Sequence, residues 1–260
     1  MSNWLTDIRA VTIRNLIRFR STADVFVWAV LQPIMFVLLF SQVFGGAIKV
    51  PGVDYTNFLM AGIFAQTAVF GATFSGMFMI QDRKDGLLDR FKTLPMSNSA
   101  VLIARTIADL TINTVSLSAM VITGLIVGWR PEAGIGGFIG GMALLLAFSW
   151  AFSWVLIWVG MKIKSAEAFN SATFMVMFPL TFLSNAFVPS DSMPTVLRVF
   201  AEWNPVSALV HATRTLFGNN GAMPEPTVWP MQHSLVMSLI GIVMFVVIFA
   251  PLAARSFRRG

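Results

Sequence analysis

The chain has no cysteine, two histidines and one tyrosine in 260 residues, and only 12% of it is charged. Without cysteine there is no disulfide framework, no thiolate metal site and no cysteine nucleophile. His211 and His233 are too few for a histidine-rich metal centre. No G-x-x-x-x-G-K-S/T motif occurs, so the chain has no P-loop for ATP. G-x-S-x-G and H-E-x-x-H are missing as well. The shortage of charge excludes most. A soluble domain is ~25% charged, and this chain cannot be given a charged shell. Its composition is equally unlike that of a disordered chain.

What is present is apolar. Hydrophobic residues make up 56% of the chain, with 24 Phe and 16 Met, and the mean hydropathy is +0.75. Such a chain uses lipid as the solvent for most of its surface. A helix crosses the bilayer core in ~20 residues. Six nearly charge-free runs are long enough: Val25 to Gly46, Tyr55 to Gln81, Leu110 to Trp129 (with a start as early as Ala100), Ala133 to Met161, Ala168 to Ser190 and Trp229 to Ala254. None alternates as a barrel strand must. The expected fold is all-α: a single polytopic domain over 1–260 with six transmembrane helices.

Six spans put both termini on one side. Fourteen of the 18 Lys and Arg then share that side, which places the termini in the cytoplasm of a plasma-membrane protein. The net charge of +6 thus sets orientation rather than nucleic-acid binding. No cleavable leader is expected, because residues 1–24 are charged and amphipathic. Trp4, Leu5, Ile8, Val11, Leu16 and Phe19 share one broad face, which predicts a helix over 1–23 lying in the headgroup region.

Between the second and third spans, Leu87, Leu88, Phe91 and Leu94 form the apolar stripe of a short helix. Gly86 permits the turn before it, and Pro95 ends it. Such a helix can float on the bilayer or seat in the groove of a soluble partner, and the spacing fits both. The stretch Asp85-Gly86-Leu87-Leu88-Asp89-Arg90-Phe91-Lys92-Thr93-Leu94-Pro95-Met96-Ser97 resembles the coupling-helix signature of type-2 ABC exporter permeases. That family commonly reads Glu-Gly-Thr, then Glu-Arg-Leu, then a Pro–small–Ser ending. Here Asp85 matches the first acid, Asp89-Arg90 the second pair, and Leu87 replaces Thr. Phe187-Val188-Pro189, Met193-Pro194 and Asn204-Pro205 are similar to the family's motif before the last span, although Ser184-Asn185 stand where Gly is frequent. Among subgroups the chain looks most like the membrane subunit of daunorubicin/doxorubicin-type resistance exporters.

The resemblance implies a permease subunit that exports a lipophilic or amphipathic cargo, such as a drug, lipid or glycolipid. It implies two copies of a separate ATPase that hold ATP and Mg, and a second permease subunit, identical or not. This chain would bind no cofactor. Asp85, Gly86, Leu87, Leu88, Asp89, Arg90, Phe91, Leu94 and Pro95 would couple to the ATPase. Pro189, Met193, Pro194, Asn204 and Pro205 would belong to an external gate. From the residues alone, six prolines across 189–230 and two short apolar patterns, Thr195 to Trp203 and Val206 to Phe217, predict a re-entrant segment over 189–228. Arg105 and Asp109 share a helix face and predict an ion pair at the cytoplasmic mouth of the third span. The alternative class is an ATP-independent secondary transporter or a membrane assembly factor. One Arg–Asp pair is thin support for an ion-driven path.

Overall fold

The computed structural model describes residues 4–21, 23–45, 48, 50–93, 97–222 and 226–259. These are helical apart from turns and one isolated bridge between Val50 and Val53. The first half holds α1 (Trp4–Ser21), α2 (Ala23–Phe44), α3 (Tyr55–Gly71), α4 (Thr73–Lys84), α5 (Leu87–Thr93) and α6 (Asn98–Val127). The second holds α7 (Gly134–Lys162), α8 (Ala166–Phe182), α9 (Thr195–Trp203), α10 (Pro205–Phe217), α11 (Trp229–Gln232) and α12 (Ser234–Arg259).

Among the described residues, four stretches are long and apolar enough to cross a membrane. They are Tyr55–Lys84 (α3 with α4), Ser99–Val127, Gly134–Lys162 and Ser234–Arg258. A shorter apolar stretch, Val30–Phe44, lies in α2. Three expected boundaries move. The sixth run begins at Ser234 instead of Trp229. The third run starts at Asn98, where the Ser97 hydroxyl caps the Ala100 amide. Arg105 and Asp109 neutralise each other inside that helix, so charge does not end it. The fifth run stops at Phe182 instead of Ser190. Its 17 residues rise about 26 Å, short of a ~30 Å core. Beyond them Ser184 Oγ accepts the Ala186 amide, and Asn185 O accepts from the Arg214 guanidinium.

The α3 helix is the axis of the bundle, buried without interruption from Phe58 to Val69. Small residues let its neighbours approach. A Cβ on Gly160 of α7 would stand 2.6 Å from the Gly76 carbonyl of α4, so only glycine permits that crossing. Gly141 of α7 leaves room for the Phe217 ring of α10. Phe217 stacks edge-on against Trp129 at 5.3 Å, and Trp129 lies 5.2 Å from Phe64. These rings close the end of the bundle opposite α5.

The α9 and α10 helices coincide with the two short apolar patterns of the sequence. Pro205 sits at the first turn of α10, and the Asn204 side chain accepts the Val206 amide. The α10 helix is buried on most of its faces against α3, α7 and α12.

The α1 helix packs part of its apolar face on α6. Ile8 and Val11 are buried in a core cluster with Ala100, Val101 and Ala104 of α6, and Asn15 is buried on the same side. Leu16 is half-buried, whereas Trp4 and Leu5 are exposed. The Phe19 side chain lies outside the described residues. The Ile8–Val11 part of the face expected on the headgroups rests on α6, and its Trp4–Leu5 end stays open.

Candidate functional site

At the end of the bundle that holds α1 and the last turns of α12, α4 runs into α5. Leu88 is 8% exposed and Phe91 9%, both within one cluster formed by α1, α6, α7 and α12. Leu87 packs half-buried on the same cluster. The stripe read from the sequence as a possible groove-filler is thus already buried inside its own subunit. What α5 shows outward is polar: Asp89, Arg90 and Thr93 are exposed, with Asp85 beside them. Gly86 makes the turn between α4 and α5 at φ 67°, where a side chain would be strained. Leu94, Pro95 and Met96 lie outside the described residues.

An ionic clasp holds this junction. Arg14 Nη2 donates to Asp82 Oδ2 at 3.2 Å, Arg18 pairs with the other oxygen of Asp82, and Arg18 Nη2 reaches Asp85 Oδ2 at 2.9 Å. The Arg14 guanidinium also stacks 4.8 Å from the centre of the Phe91 ring. On the opposite side, Arg83 Nη1 donates to Met161 O at 2.9 Å and Nη2 to Gly160 O at 3.0 Å, with Ile163 O a further acceptor. These are carbonyls at the C-terminal end of α7, which have no partner within their own helix. One turn of chain is therefore fastened to α1 through carboxylates and to α7 through a guanidinium.

The Arg105–Asp109 pair is buried between helices near the start of α6. The residues are 3% and 1% exposed. Arg105 Nη2 donates to Asp109 Oδ1 at 2.5 Å, Ser75 of α4 donates to the other oxygen, and the guanidinium lies 4.4 Å from the centre of the Phe78 ring. The pair locks α6 to α4 directly above the clasp.

Farther along the bundle, α2, α3, α4, α6 and α8 line a cavity of about 300 Å³. Gln32, Gln66, Thr67, Thr73, Ser116 and Asn170 give it hydrogen-bonding walls, phenylalanines with Pro33, Gly71 and Met77 supply the rest, and among the described residues no charged one lines it. A second hollow of about 430 Å³ shares Phe70, Thr73 and Asn170 and extends along α8. Gln32, Asn170 and Ser171 are exposed on this face.

The gate residues occupy the far end. Asn204 is buried, and its Nδ2 donates to Leu180 O at 2.6 Å, tying α10 to the last turn of α8. Pro189 precedes a single tight turn over Ser190–Ser192, and Pro194, just after Met193, starts α9. Arg214 is 1% exposed, donates to Phe58 O at 3.1 Å and Asn185 O at 2.9 Å, and stacks 3.7 Å over the Phe58 ring. His211 pairs with Ser234 Oγ at 3.0 Å, and His233 stacks on Trp229.

Sequence reasoning counted Arg14, Arg18 and Arg83 only as topology signals and missed their partners. The signal was present: arginines four apart on one helix face acids three apart on another. Gln66, Thr67, Ser116 and Asn170 were missed because single polar residues in apolar runs carry no spacing of their own.

Comparison with known proteins completes this evidence. The family described as ABC-2 type transporter matches residues 6–218. The chain is 29% identical over 229 residues to the daunorubicin resistance ABC transporter permease protein of Streptomyces coeruleorubidus, across 88% of this chain and 78% of that protein. It is 26% identical over 232 residues to the probable doxorubicin resistance ABC transporter permease protein of Mycobacterium tuberculosis, across 86% and 80%. The chain therefore belongs to the ABC-2 type transporter family and is its multi-pass membrane permease subunit, with ATP hydrolysis residing in a partner ATPase subunit.

Proposed function

We propose that this permease exports an uncharged-to-amphipathic lipophilic substrate across the plasma membrane, driven by an ATPase that pushes on α5. The carrying observation is the mooring of α5. Its apolar side is spent inside the subunit, its polar side is open to a partner, and its root is fastened to α1, α4 and α7. A force on Asp89 and Arg90 is delivered to the spans and not dissipated in a loose loop. ATP and Mg belong to the partner in this reading, and this chain holds no cofactor.

The cavity between α2 and α8 supports the substrate class. Neutral amides and hydroxyls among phenylalanines suit a lipophilic body bearing hydrogen-bonding groups, and offer little to a strongly charged one. Drug-like molecules fit this description, as the names of the two relatives suggest, and so do lipids and glycolipids. Exposed Gln32 and Asn170 at membrane depth are costly against lipid tails. That cost favours a second permease copy, which would cover the face and enclose a path between the two. We read six crossings, counting α2 and α8, with cytoplasmic termini from the positive-charge bias and a re-entrant α9–α10 segment as the outer cap of one 1–260 domain. Two ATPase copies would match the two permeases.

Co-reconstitution with the partner ATPase tests the proposal. The Asp89→Lys, Arg90→Glu variant should insert normally yet lose the ATPase on co-purification, and ATP-dependent uptake of an amphipathic dye into inside-out vesicles should fall with it. Wild-type retention and uptake would remove α5 from the coupling role.

A further inference from the structure

The α6–α7 connection carries a groove that the transport reading does not use. It is a hollow of about 340 Å³ with an almost wholly apolar lining, in which Leu125, Trp129, Pro131, Ile135 and Phe138 take part. The neighbouring Ile122, Ile126 and Ile139 are exposed, so the groove opens on a lipid-facing surface. Protein interiors leave few voids of this size, and a hollow in hydrocarbon fills with chain.

A cation stands at its rim. Arg130 Nη1 donates to Leu125 O and Trp129 O, each at 2.7 Å, and those two residues also line the groove. The backbone there is fixed on both sides: Asn57 Oδ1 accepts the Arg130 amide, and Asn219 Nδ2 donates to Arg130 O. The side chain is exposed, and among the described residues no carboxylate lies within ion-pair distance of it. Glu132, the one acid in the connection, is exposed as well. Both carbonyl bonds use one terminal nitrogen, which leaves the rest of the guanidinium fork turned to solvent or ligand. A planar cation at headgroup level above an acyl-sized groove matches a phosphate diester with a fatty tail.

We propose that the α6–α7 groove is a phospholipid site, with one acyl chain lying against Leu125, Ile135 and Phe138 and the headgroup phosphate on Arg130. The site requires only that the chain is embedded in lipid, so it holds independently of the exported substrate and of orientation.

A phosphatidylglycerol carrying a photoactivatable diazirine in its acyl chain, mixed into phosphatidylcholine vesicles holding the intact chain, reads the site directly. Adducts should concentrate on peptides spanning 121–138 relative to the open α12 face at Val243 and Val247. Arg130→Gln should lower groove labelling by roughly tenfold, as for loss of a charge-assisted hydrogen bond, and Arg130→Lys should retain most of it. Leu125→Trp, which fills the groove, should abolish labelling there while leaving α12 labelling and the melting temperature unchanged. It decides the matter alone if Arg130→Gln melts early. Inorganic phosphate in the buffer should not displace the label, and displacement would mean a free-anion site only. Groove labelling equal to that of α12, or unaltered by Arg130→Gln and Leu125→Trp, would overturn the proposal.

Discussion

The two ends of this permease are held together by different chemistry. At the α5 end the fastening to α1 is carboxylate to guanidinium between side chains, with Arg14 and Arg18 half-exposed around a buried Asp82, while Arg83 reaches backbone carbonyls at the end of α7. At the α10 end it is side chain to backbone, with Arg214 and Asn204 buried against carbonyls of α3, α8 and the turn after it. Two half-exposed arginines share Asp82, so losing one leaves the carboxylate paired with the other, and each pair is worth little more than the ~0–1 kcal/mol of an exposed one. A buried donor whose removal strands carbonyls costs ~1–3 kcal/mol for each group left unpaired. The first arrangement suits a joint that must shift when a partner pulls, and the second suits a plug that keeps its shape.

The comparison is sharpened most by the pair lying between the two ends. Arg105→Met should destabilise the subunit by ~3–5 kcal/mol, since it strands the buried Asp109 charge. Adding Asp109→Leu should recover much of that loss, and a double-mutant cycle of detergent unfolding measures the coupling. Arg214→Met comes next, at ~1–3 kcal/mol, from the Asn185 carbonyl left without its donor and the stacking lost on Phe58. Its melting temperature should fall while ATPase co-purification stays intact, and loss of ATPase binding would show that the ends are not separable. Asn204→Ala removes a cap and the Leu180 tie, at ~1–2 kcal/mol, and should disturb export more than ATPase docking. Arg18→Ala should be the mildest for stability, below ~1 kcal/mol. If its melting temperature fell as far as that of Arg214→Met, the contrast between a yielding joint and a rigid plug would fail.

Helix identities were legible in the sequence because lipid imposes length and composition on a span. The α9 and α10 helices were legible because Pro194 and Pro205 start them and a periodic apolar face follows. The Asp85–Phe91 stretch was recognisable as a helix, but its facing was not. An apolar stripe looks the same whether it fills a partner's groove or its own subunit, and only the tertiary neighbours of Leu88 and Phe91 decide. The packing of Ile8 and Val11 on α6 was hidden for the same reason. Arg105 and Asp109 were legible as an ion pair at the mouth of the third span, but their further partners Ser75 and Phe78 come from another helix and were not. The cavity depends on where five helices converge, which no local pattern encodes.

The central claim is that α5 is a handle tied to the spans by the α1 clasp. ATP hydrolysis and dye transport measured together in proteoliposomes, for Arg14→Gln with Arg18→Gln beside wild type, test it most directly. The account predicts that the variant keeps its ATPase and hydrolyses ATP at a near wild-type rate, while dye moved per ATP falls by roughly tenfold or more, equivalent to ~1.4 kcal/mol of lost coupling. An unchanged ratio of transport to hydrolysis would contradict it.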